Sequence, residues 1–339
     1  MKTIKIFVSL LAIIIVFGST TIQAQNQQRR RPTFDATNPT VHDPVMIKEG
    51  DTYYLFCTGM GVSMMKSKDM RTWEEYGSIF EEAPKWTVAS LPGFRGHMWA
   101  PDVIFHNGEY HVFYSCSAFA KNTSLIGHVT NKTLDRNSPD YKWVDQGKII
   151  QSIPNRDMWN AIDPNIVIDE EGTPWMNFGS FWDGIKMVKL TKDMMSIAQP
   201  EEWYSLCRRA RTHTLDDKDP GDGAVEAPFI FKKNGYYYLL VSFDYCCRGL
   251  NSDYKIAIGR SENVEGPYLD KDGMSLAIGG GTIIADKNKD YVAVGHCSAY
   301  TFDGKDYLAT HAYEAKNGAS KLVIREIKWD NDGWPSIDF

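Results

Sequence analysis

A segment of one kind occurs four times in this chain, roughly sixty residues apart, and it leaves few folds open. Each copy sets an acid beside a proline, runs into an apolar strand, turns at a glycine and returns through an aromatic-rich strand. The copies begin at Asp43-Pro44, Pro101-Asp102, Asp163-Pro164 and Glu226-Ala227-Pro228, and they turn at Gly50, Gly108, Gly172 and Gly235. Two strands about a glycine turn make a β-hairpin. A fifth, weaker copy is expected from Gly280 to Ile284 and on from Tyr291 to His296, so the landmarks fall at Asp43, Asp102, Asp163, Glu226 and His296. Helical periodicity is nearly absent. Hairpins repeated at this period without helical crossovers predict an all-β, five-bladed β-propeller. A β-sandwich would not place an acid at the start of every unit.

The acids then acquire a meaning. The first strand of each blade lines the central channel, so residues entering those strands converge on one mouth. Asp43, Asp163 and Glu226 are read as equivalent positions whose carboxylates share a pocket. Any one of them alone reads more simply as a turn residue before proline. Three in one concavity repel one another, and such a cluster is kept where chemistry uses it. Two carboxylates flanking a sugar linkage, one protonated and one ionised, are the equipment of glycoside hydrolysis, and a third can tune the donor.

Composition agrees. The formal charge is −6, which invites neither nucleic acid nor an anionic membrane and suits a neutral polysaccharide. Aromatic residues make up 13 % of the chain, enough for strands and sugar-stacking surfaces. Residues 1–24, with Lys2 and Lys5 before an apolar run over 6–17, read as a secretory signal peptide, so a secreted or periplasmic protein is expected. Residues 25–40 read as a flexible leader, and 41–339 as the catalytic propeller. Of the six cysteines, the adjacent Cys246 and Cys247 are expected to stay as two thiols, because a bond between neighbours is unusual.

The strings His42-Asp43-Pro44, Trp99-Ala100-Pro101-Asp102, Asn160-Ala161-Ile162-Asp163-Pro164-Asn165, Gly179-Ser180-Phe181-Trp182-Asp183-Gly184 and Cys246-Cys247-Arg248-Gly249 resemble glycoside hydrolase family 43, and within it the arabinanases. The resemblance covers essentially all of 41–339. It implies an inverting hydrolase of α-1,5-linked arabinan with Asp43 as general base, Glu226 as general acid and Asp163 tuning the acid. It further implies substrate contacts at Trp99, Asn160, Ala161, Ile162, Ser180, Phe181 and Trp182. His296 would approach a metal, taken as calcium, although one imidazole is a thin site for an ion that prefers oxygen. Trp99 and Trp182 are expected to open toward the channel as sugar platforms, with Phe119, Phe181 and Tyr245 as further candidates. An endo-acting, monomeric enzyme is expected. The other readings are an exo-arabinanase, an arabinofuranosidase or β-xylosidase of the same family, and a propeller that only binds polysaccharide. That last reading is disfavoured because all three carboxylates are present.

Overall fold

The hairpin turns carry the fold's geometry in their backbone angles. Asn107-Gly108, Asn234-Gly235 and Asp303-Gly304 each place both residues at positive φ, between 51° and 86°. That is the two-residue turn whose twist matches a right-handed hairpin, and asparagine or aspartate before glycine tolerates it best. Each turn joins the innermost strand of a blade to its neighbour.

In the computed structural model, which describes residues 34–339, four strands from each repeat form an antiparallel sheet. The first blade comprises Val45–Glu49, Thr52–Cys57, Ser63–Ser67 and Trp73–Ser78. The second comprises His97–His106, Glu109–Cys116, Ser124–Asn131 and Val144–Ser152, with the two-residue strand Gly59–Met60 added to its inner edge. Asn165–Ile168, Pro174–Phe178, Ile185–Lys189 and Trp203–Cys207 make the third. Val225–Lys233, Tyr236–Phe243, Lys255–Ser261 and Thr282–Ala285 make the fourth. The fifth runs through Tyr291–Phe302, Lys305–Glu314, Ser320–Trp329 and Pro335–Ile337. The innermost strands touch in a ring, each against the next and the fifth against the first. The all-β, five-bladed propeller expected from the repeat is the observed architecture.

One boundary differs from expectation. Thr282–Ala285 does not open the fifth unit; it pairs with Lys255–Ser261, Ile258 opposite Thr282, as the outer edge of blade four. Blade five begins at Tyr291.

The core is not central. It consists of five apolar layers, one between each pair of neighbouring blades. Alternation along the strands divides side chains between two layers, since successive residues face opposite sides of a sheet. Tyr54 and Phe56 join the layer toward blade two, whereas Tyr53, Leu55 and Cys57 join the layer toward blade five. Both faces are therefore apolar, which is why these strands read as nearly continuous hydrophobic runs.

Among the described residues no strand joins the sheets at the two ends of the chain. Blade one comes wholly from one end and blade five wholly from the other. The seam is closed by side chains and by residues 34–40, which the sequence suggested were solvated. Phe34 packs into the seam, Trp73 donates its amide to Ala36 at 2.8 Å, and Leu322 donates to Pro39 at 3.0 Å. The expected signal peptide and the first part of the leader lie outside the described residues. Among those residues no helix is long and apolar enough to cross a membrane.

Candidate active site

Each innermost strand carries, just before it or within it, one residue in the left-handed backbone region: Asp43, Ala100, Asp163, Ala227 and His296, with φ between 41° and 58°. None is glycine, so each conformation is costly unless its surroundings fix it. A repeated device does so. The amide of Ala100 donates to Thr58 Oγ1 at 2.8 Å, that of Asp163 to Ser115 Oγ at 2.9 Å and that of His296 to Ser242 Oγ at 2.8 Å. The amide of Asp43 donates to His311 Nδ1 at 3.1 Å. Thr58, Ser115, Ser242 and His311 all come from the second strand of the preceding blade, or the residue that ends it. In blade four the acceptor is Asp163 itself, whose Oδ2 takes the Ala227 amide at 3.2 Å.

This register corrects the expected equivalence of the three acids. Asp43 and Asp163 share a position with Ala227 and His296, whereas Glu226 stands one residue earlier. The pairing of Val225–Lys233 with Tyr236–Phe243 slips between Glu226 and Phe229, as the inner pairs of blades two and five slip between Trp99 and Asp102 and between Gly295 and Ser298, so Glu226 holds the place of Trp99 and Gly295. Asp102 stands two residues beyond the shared position. It is buried, accepts the Ile166 amide at 2.7 Å and the Asn165 side chain at 3.1 Å, and ties blade two to blade three. Burial pushes its carboxyl up to about 7.

The three predicted acids do meet. Burial would raise Asp43, but His296 Nδ1 at 3.0 Å from Oδ1 more than offsets it and holds the carboxylate well below its ordinary range. Thr58 donates to the other oxygen, so one hydroxyl orients Asp43 and fixes Ala100. His296 is pushed up to about 9 by the same pairing, against the effect of its own burial. His311 is fully buried and stays neutral, and because its Nδ1 accepts the Asp43 amide its proton sits on Nε2.

Glu226 receives Ser180 Oγ at 2.7 Å and Tyr254 OH at 2.8 Å. Burial nevertheless raises it above the ordinary value. Asp163 is pushed up to about 8, first by burial and then by the charges of Glu226 and Asp43, with His296 opposing. Two buried carboxyls coupled in this way cannot both ionise at neutral pH, so the pair retains a proton. The site thus holds one firmly ionised carboxylate opposite a protonated pair.

The expected substrate contacts divide. Ser180 acts on Glu226. Phe181, half-buried at φ 54°, lies 5.6 Å from Tyr245, and Trp99 is half-buried with its indole nitrogen on His97. Phe119 is 73 % exposed. Asn160 is buried, and its Oδ1 has no protein partner. Ala161 and Ile162 are also buried; Ala161 packs between blades two and three. Trp182 departs from expectation. It is only 2 % exposed and its indole donates to the Asp217 carbonyl at 2.9 Å, so it props the loop and offers no face to a sugar.

Cys246 and Cys247 are joined to each other rather than left as thiols. The amide of Cys247, at φ 67°, donates to Tyr313 OH at 2.9 Å. Arg248 lies over the Tyr245 ring at 4.3 Å. Cys57, Cys116, Cys207 and Cys297 are free and buried.

Thr58, Ser115, Ser242, Tyr254 and His311 were not anticipated. All but Tyr254 share one signal, a polar residue where the aromatic-rich strand of a repeat ends. For a metal, His296 offers only Nε2, since Nδ1 is taken by Asp43. Among the described residues, the donor cluster with closely spaced ligand atoms is His42, Asp43 and His311. That cluster does not include His296, and one imidazole nitrogen alone is a thin site for calcium, which prefers oxygen ligands.

Residues 36–335 match the model of glycosyl hydrolases family 43. An extracellular exo-α-(1→5)-L-arabinofuranosidase of Cellvibrio japonicus is 50 % identical over 299 residues, covering 88 % of this chain and 86 % of that one. An extracellular endo-α-(1→5)-L-arabinanase of Bacillus subtilis is 41 % identical over 306 residues, covering 89 % and 88 %. The solved α-L-arabinanase of Cellvibrio cellulosa, in complex with arabinohexaose, superposes with a TM-score of 0.87 at 49 % identity over 89 % of this chain and 96 % of that one. With the carboxyl trio assembled at the channel mouth, these likenesses place the chain in family 43 of the glycosyl hydrolases.

Proposed function

We propose that this protein is exported and hydrolyses the α-1,5-linked arabinofuranosyl bonds of arabinan with inversion. The observation that carries the reaction is the divided protonation of the site. Asp43 stays ionised beside His296, while the Asp163–Glu226 pair keeps a proton. An inverting hydrolase needs a base for water on one side of the anomeric carbon and an acid for the leaving oxygen on the other. Asp43 is the base and Glu226 the acid. Asp163 holds Glu226 protonated by its charge and position. Similarity to the two relatives supports arabinan as substrate, and their names support export.

For the mode of attack the relatives differ. The sequence suggested endo-action, as in the Bacillus relative. The relative at 50 % identity is an exo-enzyme, and on that ground we infer release from a chain end. A time course on linear arabinan reads this directly: one product size from the start for exo-action, a ladder of sizes for endo-action. A calcium ion, where bound, would take Nε2 of His296 and otherwise water, and would supply positive charge near the carboxylates.

The acid assignment has its own test. Glu226→Gln should lower kcat on arabinan by at least about a thousandfold. It should spare much of the turnover of an aryl arabinofuranoside, whose leaving group needs little protonation. Equal losses on both substrates would remove Glu226 from the acid role.

A further inference from the structure

Away from the channel, a cavity of about 360 Å³ lies between the outer strands of blades two and three. It falls within the size range of small-ligand pockets. We infer that it is a second carbohydrate-binding site, which holds a stretch of neutral arabinan while the channel cleaves; this rests on the polysaccharide reading above.

Two indoles form its apolar part. Trp203 begins the outer strand of blade three and is 37 % exposed, and Trp159 lies 5.4 Å from it at an angle of 42°. Trp203 is not loose. Its Nε1 donates to Glu201 at 2.7 Å and its ring packs on Phe178, so a face is held in place at the surface. Aromatic faces of this kind receive the apolar face of a sugar ring.

The polar part suits hydroxyl groups rather than ions. Arg156 binds both oxygens of Asp157 through Nε, one of them also through Nη2, which leaves Nη1 to donate. Gln151 Oε1 takes Lys148, which leaves the Gln151 amide to donate. Glu201 and Asp157 keep lone pairs that accept. Donors and acceptors are mixed, and the single guanidinium is already neutralised. The carboxylates of Asp157 and Glu201 in its lining disfavour a phosphate or a uronate, whereas sugar hydroxyls both give and take.

The chain links this pocket to the catalytic centre. Arg156, Asp157 and Trp159 sit on the segment that continues into Asn160 and Asp163. Four fully extended residues span at most about 14 Å, so Trp159 cannot be farther than that from the Asp163 backbone. A polymer can therefore occupy both places, and a trisaccharide held in the channel has little left to reach the pocket.

The test compares polymer with oligomer. Trp203→Ala should raise KM for linear debranched arabinan roughly fivefold with kcat unchanged, and leave both constants for arabinotriose unaltered. Because Trp203 also packs on Phe178, Gln151→Ala serves as a second variant that keeps both rings, and it should show a smaller effect of the same kind. In the inactive Glu226→Gln background, either substitution should reduce retardation of the protein in an arabinan-containing gel. Parallel rises in KM on polymer and trisaccharide, or no change on either, would overturn the second site. Failure of the unaltered enzyme to cleave linear arabinan would instead overturn the functional reading beneath it.

Discussion

Among the individual side chains, the split between Asp43 and the Asp163–Glu226 pair decides what pH does. Asp43 must be ionised to act as a base, and His296 holds it so well below the ordinary carboxylate range. The acid limb of kcat/KM should therefore lie below the usual titration of an aspartate. The donor must keep a proton, and the pair gives up its last proton near 8, so activity should fall as pH rises through about 8. That proton is retained partly because a second carboxylate stands beside it. Asp163→Asn removes the second charge, and the alkaline limb should move to lower pH, with kcat reduced because the proton-bearing group is also less well placed. A pH profile of kcat/KM reads both limbs. An alkaline limb that stays put in Asp163→Asn would mean the two carboxyls do not share the proton.

At the level of the strand, the decisive feature is where the second strand of each blade ends. Thr58, Ser115, Ser242 and His311 lock the left-handed residue at the next blade's inner strand. Thr58 does this and also orients Asp43. Thr58→Val keeps the shape and removes the hydroxyl, leaving the Ala100 amide unpaired at a cost of about 1–3 kcal/mol. Urea unfolding should register that loss, and kcat should fall at least about tenfold because the base is no longer aligned. Thr58→Ser should restore most of both. The hairpins themselves were legible, because Asn-Gly and Asp-Gly between apolar strands state their turn directly. The convergence of Asp43, Asp163 and Glu226 was legible too, since blades deliver equivalent positions to one mouth. The offset of Glu226 stands in the sequence as well, where Ala227 separates it from Pro228 while Asp43 and Asp163 directly precede Pro44 and Pro164; taking the acid rather than the proline as the landmark hides it. Trp182 misled for another reason: its motif does border the mouth, but whether an indole faces a ligand or a neighbouring carbonyl depends on the 217–220 loop, which carries no periodic signal. The bond between Cys246 and Cys247 goes with Cys247 at positive φ, a conformation that composition does not announce.

For the ring as a whole, closure is the question that the repeat leaves open. Four junctions between blades are covalently continuous, each blade passing to the next through a connecting loop. The fifth, between blades five and one, has no strand in common among the described residues and is held by packing and by residues 34–40. Val41, Met46, Leu55 and Trp73 meet Phe302 and Ala309 across it, and Ser320 and Lys321 bond the carbonyls of Val41 and Asn38. The strap 34–40 adds Phe34 to that apolar layer and accepts two backbone hydrogen bonds, from Trp73 and from Leu322. At about 1 kcal/mol for each hydrogen bond and a similar amount for the partly buried ring, it contributes on the order of 3 kcal/mol. For a domain of this size that is a fall in Tm of about 5 °C. A chain that begins at Val41 should therefore melt about 5 °C lower by calorimetry while keeping its kcat at 25 °C, since no residue of 34–40 bonds to the carboxyl trio. A truncated chain that melts with the full-length protein would show that the seam is held by the apolar layer alone. One that loses kcat without losing Tm would show that the strap reaches the substrate rather than the fold.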